Sequence, residues 1–138
     1  MTRLACISLW QPWAGGLFEP VERRKIHETR HWPAPARLIG QRIAIHAAKR
    51  KMTYDDLCVA EDCGWDVAGW AHGAIIGTVT LEACEQMTAR LQYWSRVDHL
   101  AGNWDPGRYA WRMADPELLA EPIPTVGRQG FWTSEIRT

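Results

Sequence analysis

A chain of 138 residues has the length for one domain with a real core, and not for two, so residues 1–138 are read as a single domain. Lysine and arginine number 16 against 16 aspartates and glutamates, so net charge speaks neither for nor against a nucleic-acid partner. No stretch approaches the roughly 20 apolar residues of a membrane helix, and residues 1 to 7 include Arg3 and lack a continuous apolar run, so neither a membrane partner nor a secretory signal is expected. Cys6, Cys58, Cys63 and Cys84 form no Cys-x-x-Cys pair, and reduced thiols in a cytoplasmic setting are expected.

Leu4 to Leu9 is a short apolar run with a β-branched centre and reads as a buried strand. Pro12 suits the first position of a helix, with Trp13 and Leu17 on one face. Gly15 and Gly16 weaken that helix and Pro20 ends or offsets it. Lys25 to Arg30 reads as extended or turn, which would put Glu28 and Arg30 on one face and Lys25 on the other. Trp32-Pro33-Ala34-Pro35 cannot be regular helix and reads as a surface loop. After Gly40, Ile43, Ile45 and Ala47 alternate with Arg42, Ala44, His46 and Ala48 as a strand.

Thr53 is an N-cap candidate for a helix over Tyr54 to Asp62, with Asp55 and Asp56 favouring its N-terminus. Gly64 to Gly73 is a loop, and Ala74 to Ala83 is the best strand, with Gly77 marking a bulge or a close backbone approach. Met87 to Asp105 is part helix, part loop. Arg108 to Met113 alternates as a strand with Tyr109, Trp111 and Met113 on one face, Leu118 to Ile123 reads as a strand or turn pair ended by Pro124, and the tail docks through Phe131 and Trp132. Several strands interrupted by short helices suit an α+β or mainly β fold, a small and partly closed barrel.

Chemistry gathers between Ser8 and Lys49. Nine tryptophans exceed what packing alone needs, and indoles stack on bases and cations. Arg23 to Lys51 holds nine lysines and arginines against one acid, Glu28, while Asp55, Asp56, Glu61, Asp62 and Asp66 lie elsewhere. One basic face on a neutral protein fits a phosphate-bearing partner, and a solvated surface gives a milder version of the same pattern. Trp10 and Trp13 flank Gln11, an arrangement that can stack on and hydrogen-bond a heterocycle or can staple a core. Lys25, Glu28 and Arg30 suit either a binding or catalytic cluster or a surface salt-bridge set. His46 looks into a cleft or into water, and Lys49, Arg50 and Lys51 read as a phosphate-attracting rim. Tyr109 and Trp111 would form an opposite wall. His27-Glu28-Thr29-Arg30-His31 fits H-E-x-x-H, but zinc chemistry needs both imidazoles on a helix, and Trp32-Pro33 follows at once, so no metal is expected.

Taken together, Ser8-Leu9-Trp10-Gln11-Pro12-Trp13-Ala14, Lys25-Ile26-His27-Glu28-Thr29-Arg30-His31-Trp32, Ala44-Ile45-His46-Ala47-Ala48-Lys49, Gly107-Arg108-Tyr109-Ala110-Trp111 and Gly127-Arg128-Gln129-Gly130-Phe131-Trp132 occur in one order. They resemble the activating signal cointegrator homology (ASCH) family of PUA-like β-barrel proteins. Two features depart from its pattern: Arg23 stands where the family has glycine before the lysine, and Gly15 to Glu22 is longer and contains Pro20. The resemblance implies a small PUA-like β-barrel with short flanking helices whose cleft is lined by the lysine motif. It further implies binding of RNA, single-stranded nucleic acid or a modified nucleoside through Trp10, Gln11, Trp13, Arg30, His46, Lys49, Tyr109 and Trp111, with no cofactor. The alternative it carries is a metal-independent hydrolase, either an N-acylcytidine amidohydrolase or a ribonuclease, using Lys25 and Glu28. For the amidohydrolase, Glu28 stands where the motif's threonine would be, and Thr29 is one residue displaced.

Overall fold

Runs with a period of two become strands wherever one face can be buried. The computed structural model describes residues 2–88 and 95–137. In chain order these hold β1 (Thr2–Leu9), α1 (Trp13–Gly16), β2 (His27–Arg30), β3 (Arg42–Ala47), α2 (Tyr54–Cys63), β4 (Ala74–Gln86), α3 (Arg96–Ala101), β5 (Tyr109–Pro124) and β6 (Phe131–Ile136). Single 3₁₀ turns occupy Val21–Arg23 and Ala36–Leu38. Of the Met87 to Asp105 segment, residues 89–94 lie outside the described residues; α3 is its helical part.

The strands form one mixed sheet in the order β2-β5-β4-β3-β1-β6. β1 and β3 run parallel, and the other pairs are antiparallel. β3 lies deep because both its faces are apolar: Ile43, Ile45 and Ala47 join Ile7, Leu9, Val79, Leu81 and Trp111 in the main core. Ala44 turns the other way to Cys6, Ile75 and Ile136. Burying each such isoleucine contributes roughly 1.5–3 kcal/mol.

The expected barrel does not close. Among the described residues β2 pairs with β5 alone and β6 with β1 alone, so the two are sheet edges. β2 has only four residues. Side chains fill the seam instead: Arg30 of β2 donates from Nη2 to the Ser8 carbonyl of β1 at 3.0 Å, and Trp111 of β5 stacks on Phe131 of β6.

A second correction concerns Leu118 to Ile123, which continues β5 and is not a separate element. The strand passes Pro116 because the ladder slips between Thr78 and Thr80, with Asp115 at a φ of 49°. Gly77 sits at another slip, and an added Cβ would strike the Phe18 ring and the Glu117 carbonyl. Gly15 and Gly16 in α1 answer a similar need, since Trp70 and Trp65 lie flush against their backbone. α2 starts as its cap foretold: the Thr53 hydroxyl accepts from the Asp56 N–H at 3.2 Å, and the Asp56 carboxylate accepts from the Thr53 N–H at 2.9 Å. Burial pushes Asp56 up, but the Thr53 amide and the Arg50 guanidinium outweigh it and hold the carboxyl below its ordinary range. None of the described helices is long and apolar enough to cross a membrane.

Candidate functional site at the open seam

The pairing of β2 with β5 sets Glu28 beside Trp111 and Arg30 beside Tyr109, all directed to the inner face. His27 and Thr29 alternate to the side of α3. Lys25 precedes the strand, its N–H bonded to the Gly16 carbonyl at 2.9 Å, so strand alternation does not govern it. It therefore reaches the same side as Glu28, contrary to the expected opposite facing. Lys25 Nζ donates to Glu28 Oε1 at 2.5 Å and to the Trp13 carbonyl at 3.2 Å. Arg30 Nε donates to Glu28 Oε2 at 3.0 Å. Both carboxylate oxygens thus carry a charged partner, and the Arg30 guanidinium lies 5.8 and 5.9 Å from the Trp32 and Trp111 ring centres.

This cluster floors a cleft of about 610 Å³ at the seam where the sheet stays open. One wall is Ser8 to Trp10 with Trp13; the other is Leu100 to Asn103 with Arg108. α3 is fixed there by Asp98, whose Oδ1 accepts from the Ile26 and His27 amides at 2.8 and 3.1 Å and whose Oδ2 meets His27 Nδ1 at 3.0 Å. Trp13 closes the corner, donating from Nε1 to the Ala101 carbonyl at 2.7 Å. Arg108 is held loosely. Its Nη2 reaches the Thr29 carbonyl at 3.4 Å, and among the described residues its buried Nε has no hydrogen-bond partner.

Of the residues expected at a site, Trp10, Trp13, Glu28 and Arg30 line the cleft, with Trp10 54% exposed. Lys25 is buried beneath Glu28, at 1% exposure, and is not part of the lining. Gln11 is spent internally, donating to the Ala71 carbonyl at 3.0 Å and accepting from the Gly15 amide at 2.8 Å. Trp111 is wholly buried, and Tyr109 packs on the same core, so neither forms an opposite wall.

His46 lies outside the cleft. Its Nε2 donates to the Thr125 carbonyl at 2.7 Å, which leaves Nδ1 to accept the Ser8 hydroxyl at 2.8 Å in the neutral ring. Gly127 covers the pair so closely that an added Cβ would collide with both. Lys49 and Lys51 are exposed and outside the cleft lining. Arg50 turns back to Asp56 at 2.8 Å and lies 3.9 Å above the Trp10 ring. Because β2 is a strand, His27 and His31 are separated by about 13 Å of extended chain, and the zinc signature lacks its helix. Burial pushes the Cys6 and Cys63 thiols up to about 11, which keeps them unreactive near neutral pH.

Sequence reasoning missed Arg108, Asp98 and the Leu100 to Asn103 wall. Arg108 carried a signal, since it sits within Gly107-Arg108-Tyr109-Ala110-Trp111. Asp98 carried only the faint one of Ser95 three residues before it, whose hydroxyl accepts from the Asp98 N–H.

No family model matches the chain, and no curated protein matches it. Solved structures do. ASCH from Zymomonas mobilis superposes with a TM-score of 0.52 at 21% identity, covering 96% of this chain and 87% of that one. A tyrosine-to-phenylalanine mutant of the same protein gives 0.53 at 21% identity, with 96% and 89% covered, and a serine-to-alanine mutant gives 0.51 at 21%, with 96% and 87%. At that identity the likeness is one of backbone, and it spans nearly the whole chain: the protein has an ASCH-like fold.

Proposed function

We propose that the protein binds RNA, or a nucleobase-bearing ligand of that kind, in the cleft at the open seam, within the cytoplasm. The observation that carries this reading is the division of labour between Lys25 and Trp10. Lys25 is buried and committed to Glu28 and the Trp13 carbonyl, so it serves to hold Glu28 in place. Trp10 presents an exposed indole with a guanidinium stacked on it, the usual platform for an unpaired base. The hydrolase reading needs a neutral amine or a free base facing the substrate. Glu28 has both oxygens engaged, Thr29 accepts from the Asn103 amide, and His46 lies elsewhere. Binding is the function this chemistry supports.

The test is an anisotropy titration of a labelled single-stranded RNA at rising salt, beside incubation with an N-acylated cytidine. Saturable binding that weakens with salt, and no hydrolysis, is expected. Absence of saturable binding, or hydrolysis lost in Lys25→Arg, would overturn the proposal.

A further inference from the structure

The cleft carries more positive charge than its own acids can use. Glu28 is its carboxylate, and its two oxygens are taken by Lys25 and Arg30. Those three groups together leave one positive charge. Arg108 adds a second, and among the described residues no carboxylate pairs with it.

Hydrogen bonding tells the same story independently. Among the described residues, Arg108 Nε is the buried side-chain nitrogen or oxygen left without a partner. The bond that the guanidinium makes among the described residues, to the Thr29 carbonyl at 3.4 Å, is at the long limit of useful geometry. Native structures rarely leave a buried guanidinium donor unmatched unless something outside the chain completes it. Arg30 offers a contrast: Nε and Nη2 are fixed by Glu28 and the Ser8 carbonyl, and two indoles confine its plane. One rigid and one loosely seated guanidinium thus border the same cavity, close to an exposed indole.

Resting on the binding function proposed above, we infer that the occupant of the cleft is a phosphorylated nucleotide unit and not a neutral nucleoside. The phosphate is seated by Arg108 with Arg30, and the base lies against Trp10. The guanidinium N–H groups that Glu28 and the Ser8 carbonyl leave over suit phosphate oxygens, and each such bond is charge-assisted. Phosphate supplies acceptors to the part of the Arg108 side chain that borders the cleft, and its negative charge offsets the surplus there. A neutral nucleoside would do neither.

Calorimetric titration of the full chain with the four common ribonucleosides, their 5′- and 3′-monophosphates, inorganic phosphate and a short single-stranded RNA tests this. At least one monophosphate should bind about tenfold or more tighter than its nucleoside. Arg108→Gln should collapse that ratio toward one, while Arg108→Lys, which keeps the charge but not the fork, should keep part of it. The wild-type ratio stands whether or not the variants fold. Equal affinity for nucleoside and monophosphate overturns the inference and leaves the binding function standing. Inorganic phosphate binding as tightly as every nucleotide overturns the nucleotide assignment. No binding of any nucleoside, nucleotide or RNA overturns both.

Discussion

Ser8 serves two buried polar clusters, its hydroxyl bonded to His46 and its carbonyl to Arg30, and the two clusters differ in how fully they are satisfied. Around His46 both ring nitrogens have partners, Gly127 seals the site, and the Trp132 ring meets the imidazole edge-on. In the cleft, Glu28 and Arg30 are matched, but Arg108 Nε has no partner among the described residues, and Trp10 is more than half exposed. Buried polar groups cost stability unless they are paired, so a saturated cluster is explained by the fold alone. An unsaturated one beside a cavity asks for a ligand. Histidine and arginine are both common in functional sites; what separates these two is the unmatched donor.

That comparison can be broken by substitution. The largest effect should come from Asp98→Ala, which strips three N–H donors of their acceptor and frees α3, one wall of the cleft. Urea unfolding should show a loss of about 3–5 kcal/mol, with RNA affinity falling alongside. A loss under about 1 kcal/mol would mean that Asp98 does not anchor that wall. His46→Ala should cost about 2–3 kcal/mol of stability, through two lost hydrogen bonds and a small cavity. RNA affinity should stay within about twofold, since His46 does not line the cleft. A selective loss of binding with stability retained would move His46 into the site.

The smallest effect concerns the α2 cap. Asp56→Asn should cost about 1 kcal/mol near neutral pH. The folded carboxyl is held below its ordinary value, so its contribution is present above the unfolded aspartate pKa of about 3.9 and lost as pH falls through the folded value. The stability gap between wild type and variant should therefore narrow below about pH 4. A gap that widens on acidification would contradict the assigned shift.

Most strands were legible from sequence because each carries its own alternation, as in Ile43, Ile45 and Ala47, and the Thr53 cap was legible because its partner lies three residues on. Closure of the barrel was not legible. It depends on whether β2 and β6 meet, a property of two edges far apart in sequence. The cleft was half legible: Trp10, Trp13, Glu28 and Arg30 sit in recognisable motifs. Gln11 and His46 looked equally functional because sequence shows a polar side chain but not its partners. Ala71 and Thr125, which satisfy them, lie 60 and 79 residues away. Arg108 stood inside a motif and was overlooked beside two aromatic neighbours, which the core had claimed.

The central claim, that the cleft and not the His46 cluster receives the nucleic-acid ligand, meets its most direct test in Trp10→Ala. Trp10 is largely exposed, so unfolding free energy should stay within about 0.5 kcal/mol of wild type. Affinity for a labelled single-stranded RNA should fall by about 1–3 kcal/mol, or roughly 5- to 150-fold, through loss of base stacking. Unchanged affinity in a stably folded Trp10→Ala protein would contradict the account.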